Sequence, residues 1–452
     1  GQHNDRLKVF GLLGKSTNAF LRSDDSTAWD SDKYLFQTID FESYLGVVGF
    51  HYTRPRQDKG QWLLAGAASA VTNDRLAVPL ITEEGTQEDV LDQAKVNLRV
   101  AHRWKLLPFG SLELGVEGLW LNQRVSSTLR PENSTQGQLE IETEGLSLSP
   151  YLNWRYQIKK VAAQFGYRAS WYTNWLDKSV YSEPRLLLSY LQSKKTTFGL
   201  DFSRATQAPS PYSAASMPRT VRQWSVFWSQ LLGEEVQLQF QIYDQALGQI
   251  PGSGARNDLN LLADYSETEH RLTATTQGRS RGLELSVQRF ATGDWWYLVS
   301  ASLFESDYRN EAGDWVPTRF ATDYAAALTL GKEWNGVDRQ QRITRLGANI
   351  GLRLNGGQRA LPIDLAASTM AQQTVFDYDQ GFTEQFPAYF RADLRVYYQK
   401  NRDRWNSTLS LDIQNVTGQQ NTAYFYYDRL LGMIKERFQL EFIPIISYRL
   451  NF

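Results

Sequence analysis

In the stretch EVQLQFQIYDQ, residues 235–245, apolar side chains and glutamines change places at every step. Val236, Leu238, Phe240 and Ile242 fall on one side, and Gln237, Gln239 and Gln241 on the other. Side chains of a strand alternate between two faces, whereas a helix groups residues three and four apart. The stretch therefore reads as a strand with one apolar face and one wet face. The pattern recurs along the chain. Val96, Leu98 and Val100 oppose Lys95, Asn97 and Arg99; Leu112, Leu114 and Val116 oppose Glu113, Gly115 and Glu117; Leu409, Leu411 and Ile413 oppose Ser410, Asp412 and Gln414. About 18 such strands are legible, with no helical periodicity between them.

The connections sort as strictly as the side chains. Short ones fall at 55–60, 105–110, 157–160, 191–195, 231–235, 291–294, 334–341 and 401–404. Long ones alternate with them, at about 15–37, 75–92, 125–143, 174–183, 206–219, 248–280, 309–321, 357–387 and 417–438. A soluble sandwich has no reason to keep this rule, whereas a transmembrane barrel has short periplasmic turns and long external loops. Because a bilayer leaves unpaired backbone groups unsatisfied, such a sheet must close. The expected fold is all-β, an antiparallel transmembrane β-barrel of about 18 strands occupying residues 1–452 as one unit, with lipid outside and a polar lumen. Trp224, Trp228, Trp295 and Tyr297 suit its interfacial girdles.

Composition narrows the function. A net charge of -1 offers no basic surface for nucleic acid, and the absence of cysteine excludes disulfides, thiolate metal sites and a cysteine nucleophile. No run of 18 apolar residues is present, so no transmembrane helix is expected. Several short turns are basic, while RSDDSTAWDSD (22–32) and TEEGTQED (82–89) make long loops acidic.

Local motifs give little chemistry. GLLGKS (11–16) ends like a phosphate-binding loop but has Val9 where that loop requires glycine, and no helix follows. The four histidines, His3, His51, His102 and His270, lack triad or metal spacing, so neither an enzyme nor a bound cofactor or metal is expected. DYDQGFTE (377–384) lacks the twelve-residue calcium pattern. NST (133–135) and NVT (415–417) match a glycosylation triplet that arises often by chance.

The final residues, FIPIISYRLNF, set Tyr448, Leu450 and Phe452 on one face and end in an aromatic ring, resembling the C-terminal signal by which bacterial outer-membrane barrels are inserted. FRADLRVYYQKNRDRWNSTLSLDIQNVTGQQN (390–421), RSRGLELSVQRF (279–290), YLVSASLFESDYRN (297–310) and EPRLLLSY (183–190) resemble the closing strands of TonB-dependent outer-membrane receptors, particularly the branch typical of Bacteroidetes. The resemblance covers about residues 183–452. It implies a bacterial outer-membrane location, a barrel of 22 strands and an N-terminal plug. It also implies a TonB-type energy transducer as partner and, in that branch, a surface lipoprotein over the external loops. A plug is not recognisable in residues 1–452, and the strands fall about four short of the family's number. The expectation is the C-terminal part of a longer receptor, its plug supplied by an N-terminal region or a separate chain.

The wet face offers the candidate site. Lys95, Arg99, Glu113, Glu117, Arg155, Arg353, Asp393 and Arg395 are expected to line the lumen, with Glu113 and Glu117 as hydrated wall. Mixed signs argue against an ion-selective pore, which would carry a ring of one sign. The favoured function is a receptor barrel for energised uptake of a peptide, glycan or metal chelate. A non-transporting scaffold within a larger outer-membrane complex and a plugless diffusion channel are the alternatives.

Overall fold

The computed structural model describes residues 5–22, 37–56, 59–79, 86–106, 108, 110–128, 139–173, 179–208, 218–252, 274–290, 294–310, 312–402 and 404–452. The acidic stretch at 23–32, His3, His270 and the triplet 133–135 lie outside them.

The first nine strands are β1 (Arg6–Phe20), β2 (Gln37–Arg56), β3 (Gly60–Pro79), β4 (Gln87–Lys105), β5 (Ser111–Ser127), β6 (Leu139–Ile158), β7 (Val161–Thr173), β8 (Val180–Leu191) and β9 (Thr196–Gln207). There follow β10 (Arg219–Leu232), β11 (Val236–Gly252), β12 (Ala274–Arg289), β13 (Trp295–Arg309), β14 (Trp315–Pro317), β15 (Tyr324–Val337) and β16 (Ile343–Asn355). The last are β17 (Arg359–Ala360), β18 (Glu384–Gln385), β19 (Tyr389–Asn401), β20 (Asn406–Gln414), β21 (Thr422–Asp428), β22 (Met433–Phe438) and β23 (Ile443–Asn451). One helix, α1 (Leu365–Ala371), lies between β17 and β18.

Nineteen strands form one sheet, in which each wall strand pairs antiparallel with the next, from β1 to β13 and then β15, β16, β19, β20 and β23. The short strand β14 folds back on the end of β13, while β17–β18 and β21–β22 form two separate ribbons. The alternating connections are present. Short turns at 159–160, 192–195, 233–235, 338–342 and 402–405 alternate with long links such as 356–388 and 415–442. At 20 residues, β2, β3 and β6 exceed the roughly 9–11 residues that cross a bilayer, so these strands continue past it.

Two expectations are corrected. No closure is seen among the described residues: no pairing joins β1 to β23, β1 is exposed along its whole length, and β23 along nearly all of its own. The chain also contains a helix, α1, too short to show a period, which starts where the Asp364 side chain accepts the Ala367 N–H.

The register explains how aromatic rings share the polar face with small residues. Tyr151 lies opposite Gly115, Phe227 opposite Gly199, Trp296 opposite Gly331 and Tyr397 opposite Gly347. Each ring lies where a side chain on that glycine would be, a Cβ at Gly347 coming within 2.2 Å of the Tyr397 ring. Glycine thus lets large rings lie flat against the sheet.

Candidate functional site

The two faces differ in what they expose. On the face expected to be apolar, Leu98 is 48 % exposed, and Leu148, Trp171 and Val180 continue the same line through β6, β7 and β8. Leu283, Ile350, Val396 and Leu411 are likewise exposed on later strands. The described residues hold only small apolar clusters, such as Ile250, Tyr308 and Phe382, and no core runs through the sheet. This is the reverse of a water-soluble protein, in which the apolar face of a sheet is covered.

Following the register from β4 to β20, Lys95, Arg99, Glu113, Glu117, Arg155, Arg353, Asp393 and Arg395 all fall on the opposite face. The structure divides them. Arg99, Glu113 and Glu117 join a continuous lattice across β4 to β9. Arg99 donates to Glu113 at 2.8 Å, Arg103 meets the other Glu113 oxygen at 2.6 Å, and the Tyr151 hydroxyl donates to Glu113 at 2.9 Å. Arg99 also donates through Nε to the Tyr151 hydroxyl at 2.8 Å and stands over its ring.

Glu117 carries the lattice onward, lying 3.6 Å from Arg99 and 3.5 Å from Arg168. Arg168 in turn grips Glu183 at 2.5 Å, and Ser170 and Thr206 each donate to Glu183 at 2.5 Å. Glu183 is 0 % exposed and its charge is fully matched, as a buried carboxylate requires. The expectation that Glu113 is hydrated wall is corrected: it is buried under two arginines and a tyrosine. Three arginines and three glutamates leave the lattice neutral. Arg99, Glu117, Ser149, Arg168 and Ser170 also border a recess of about 490 Å³ with Asn97.

A second cluster spans β15 to β20. Arg391 and Asp393 are 2.6 Å apart, Asp393 accepts the Asn415 N–H at 2.9 Å, and Arg395 meets Asp412 at 3.2 Å. Glu333 joins Arg345 at 3.2 Å and accepts from the Tyr397 hydroxyl. Lys95, Arg155 and Arg353 make no ion pair among the described residues. Sequence reasoning did not single out Arg103, Tyr151, Arg168 or Glu183. Arg103 shares the alternation with Arg99, but Tyr151 and Glu183 enter through pairings between strands that only the register supplies.

The two described histidines stand apart. His51 lies on the polar face beside the recess, whereas His102 lies between Trp62, which it meets edge-on, and Trp104, to which it is tilted, on the other. Among the described residues no three histidines or carboxylates come together to hold a metal. In DYDQGFTE, Asp377 is occupied in capping the turn 378–380 and accepting from Gln380.

The sequence matches no protein-family model and no curated protein. Solved structures do match. BauA, the ferric preacinetobactin receptor of Acinetobacter baumannii, is similar over 99 % of this chain and 70 % of its own, with a TM-score of 0.64 at 12 % identity. The fold is that of TonB-dependent outer-membrane receptors. The ferric-catecholate import receptor Fiu of E. coli K12 gives 0.63 over 98 % of this chain and 72 % of its own, at 12 % identity. The pyoverdine receptor FpvA of Pseudomonas aeruginosa gives 0.63 over 92 % and 62 %, also at 12 % identity. The chain thus spans about 56–72 % of the length of these and similar receptor structures.

Proposed function

We propose that residues 1–452 form most of the wall of a bacterial outer-membrane receptor that captures a substrate outside and imports it with energy delivered through a TonB-type transducer. The observation that carries this is the inverted exposure. Leu98, Leu148, Trp171 and Leu411 face outward uncovered while Glu113 and Glu183 are sunk into the other face. In water such a sheet would leave its apolar face wet, at about 25 cal/mol for each Å² exposed. In a bilayer the same face is satisfied.

On this reading the eight polar residues from Lys95 to Arg395 line the lumen, and the lattice from Arg103 to Glu183 is the wall against which a plug rests. Its neutrality favours a polar protein filling over an ion-conducting pore. The plug comes from an N-terminal region or a separate chain, and a surface lipoprotein is a further partner over the external loops. Tyr448, Leu450 and Phe452 serve as the insertion signal. Among peptide, glycan and metal chelate, the last is favoured, because the similar receptors are named for ferric complexes.

The test is uptake of iron-loaded chelates by cells producing the receptor, with and without the energy transducer. Uptake that disappears with the transducer is expected. Uptake or steady ion conductance that persists without it would replace the receptor by a diffusion channel.

A further inference from the structure

The outward face holds an unpaired cation where a bilayer should begin. Lys332 pairs directly with Trp295, the first residue of β13, and with Ala348 on β16. Its ammonium stands 4.3 Å from the Trp295 ring centre and 5.3 Å from that of Trp334. Both indoles are exposed, at 41 % and 44 %. Lys332 makes no ion pair among the described residues. Glu333, next in sequence, points to the other face and is held by Arg345, and Asp294, just before Trp295, does not reach Lys332.

The position of this group along the wall is informative. From Lys332 the outward residues of β15 run through Leu330, Leu328 and Ala326 to Tyr324, about the length of strand that crosses a bilayer. On the other side of Lys332 lie Trp334 and the short turn 338–342. A cation between two indoles at the end of an apolar run is therefore at headgroup depth. On β19 Tyr398 and Lys400 repeat the composition, the Lys400 ammonium standing 5.5 Å from the Tyr398 ring centre.

We infer that Lys332, Trp295 and Trp334 form a binding site for the phosphate of a phospholipid headgroup in the leaflet at the short-turn rim. Lys332 supplies the charge, and the two indoles supply flat walls that hold the glycerol region and keep the ammonium aimed outward. The inference rests on the membrane-wall reading, and on the short turns being periplasmic, which makes the ligand a glycerophospholipid and not lipid A.

The receptor assembled in outer membranes is extracted in mild detergent and its retained lipid measured by native mass spectrometry, with phosphatidylglycerol and phosphatidylethanolamine added back. The wild type is expected to retain one phospholipid through delipidation. Lys332→Gln should weaken retention about five-fold and Lys332→Arg should preserve it. Trp334→Leu, which leaves the charge, should weaken it about two- to five-fold, and keeps the proposal open to refutation if Lys332→Gln fails to assemble. Equal retention in Lys332→Gln, retention unchanged in Trp334→Leu, or lipid A as the retained molecule would overturn it. Failure of the wild type to enter membranes would instead reject the wall reading.

Discussion

At the scale of single residues, the face on which a side chain stands decides what can replace it. Leu411 is exposed on the outward face of β20, and Gln239 on the polar face of β11. Leu411→Arg is expected to destabilise the assembled wall by about 2–4 kcal/mol near the bilayer midplane, whereas Gln239→Arg should cost less than about 1 kcal/mol. Equilibrium unfolding from lipid vesicles measures both, and equal values would refute the assignment of faces. Within the polar face, Glu113→Ala leaves Arg99 and Arg103 facing one another across a lost partner. Breaking a buried pair costs roughly 3–5 kcal/mol, but both arginines are more than a third exposed, so about 1–2 kcal/mol is expected in the same assay. Gly115→Ala should mimic part of this effect, because its Cβ would come within 2.6 Å of the Tyr151 ring that holds Glu113. The alternation alone placed Arg99 and Glu113 on one face. It carried no sign of Glu113 being buried, since that depends on Arg103 and Tyr151 arriving from β4 and β6 in one register.

At the scale of elements, the wall strands were legible because each shows a two-residue period over many residues, whereas the structure between them was not. The link 356–388 contains β17, α1 and β18, each too short to show a period. It is held by single contacts, such as the Tyr427 N–H donating to Thr374 and Phe386 packing edge-on against Phe425. Asn421 ties the base of the β21–β22 ribbon to the wall by accepting the Phe390 N–H and donating to the Phe390 carbonyl. At the opposite rim, the turns 338–342 and 402–405 are joined through Asp338. Its carboxylate accepts the Gln340 and Arg342 N–H groups and meets Arg342 at 3.0 Å and Arg402 at 3.1 Å. The Arg342 and Gln340 N–H groups, with the Arg342 guanidinium, hold its pKa down at about 2. A depressed carboxyl contributes stability that is present above its ordinary pKa near 4 and is lost as pH falls through the folded value. Amide protection in 338–342 should therefore persist from pH 7 to about pH 4 and decline toward pH 2, while Asp338→Ala should lack it throughout. Hydrogen exchange followed by mass spectrometry distinguishes the two, and protection lost already near pH 5 would contradict the clamp.

At the scale of the whole molecule, the open edge is the strongest constraint that remains. Sequence rhythm gave the number of wall strands and the order of short and long links, because both are written locally. Closure within 1–452, which the alternation led one to expect, is not supplied by any pairing among the described residues, because it depends on which strands meet at the ends. Among the described residues, the edge of β1 away from β2 and the edge of β23 away from β20 each present a row of unpaired backbone groups. Within hydrocarbon each unpaired group costs several kcal/mol, so on the proposed membrane-wall reading both edges must be occupied. They meet each other, or further strands stand between them. If the receptor fold's 22 strands apply, about four intervene, and at about 4.8 Å per strand the edges are then about 24 Å apart. A disulfide requires Cα atoms within about 7 Å, and the chain has no cysteine of its own to compete. Cysteines placed singly along β1, at Val9, Gly11 and Leu13, and paired with others at Ile446 and Tyr448 on β23, are expected to give no cross-link in assembled membranes under oxidation. Gly11→Cys with Val48→Cys, directly across the observed β1–β2 register, should cross-link in the same preparation and show that the chemistry works. A bond between β1 and β23 would mean that these strands close on themselves, and that the wall is complete with the strands described.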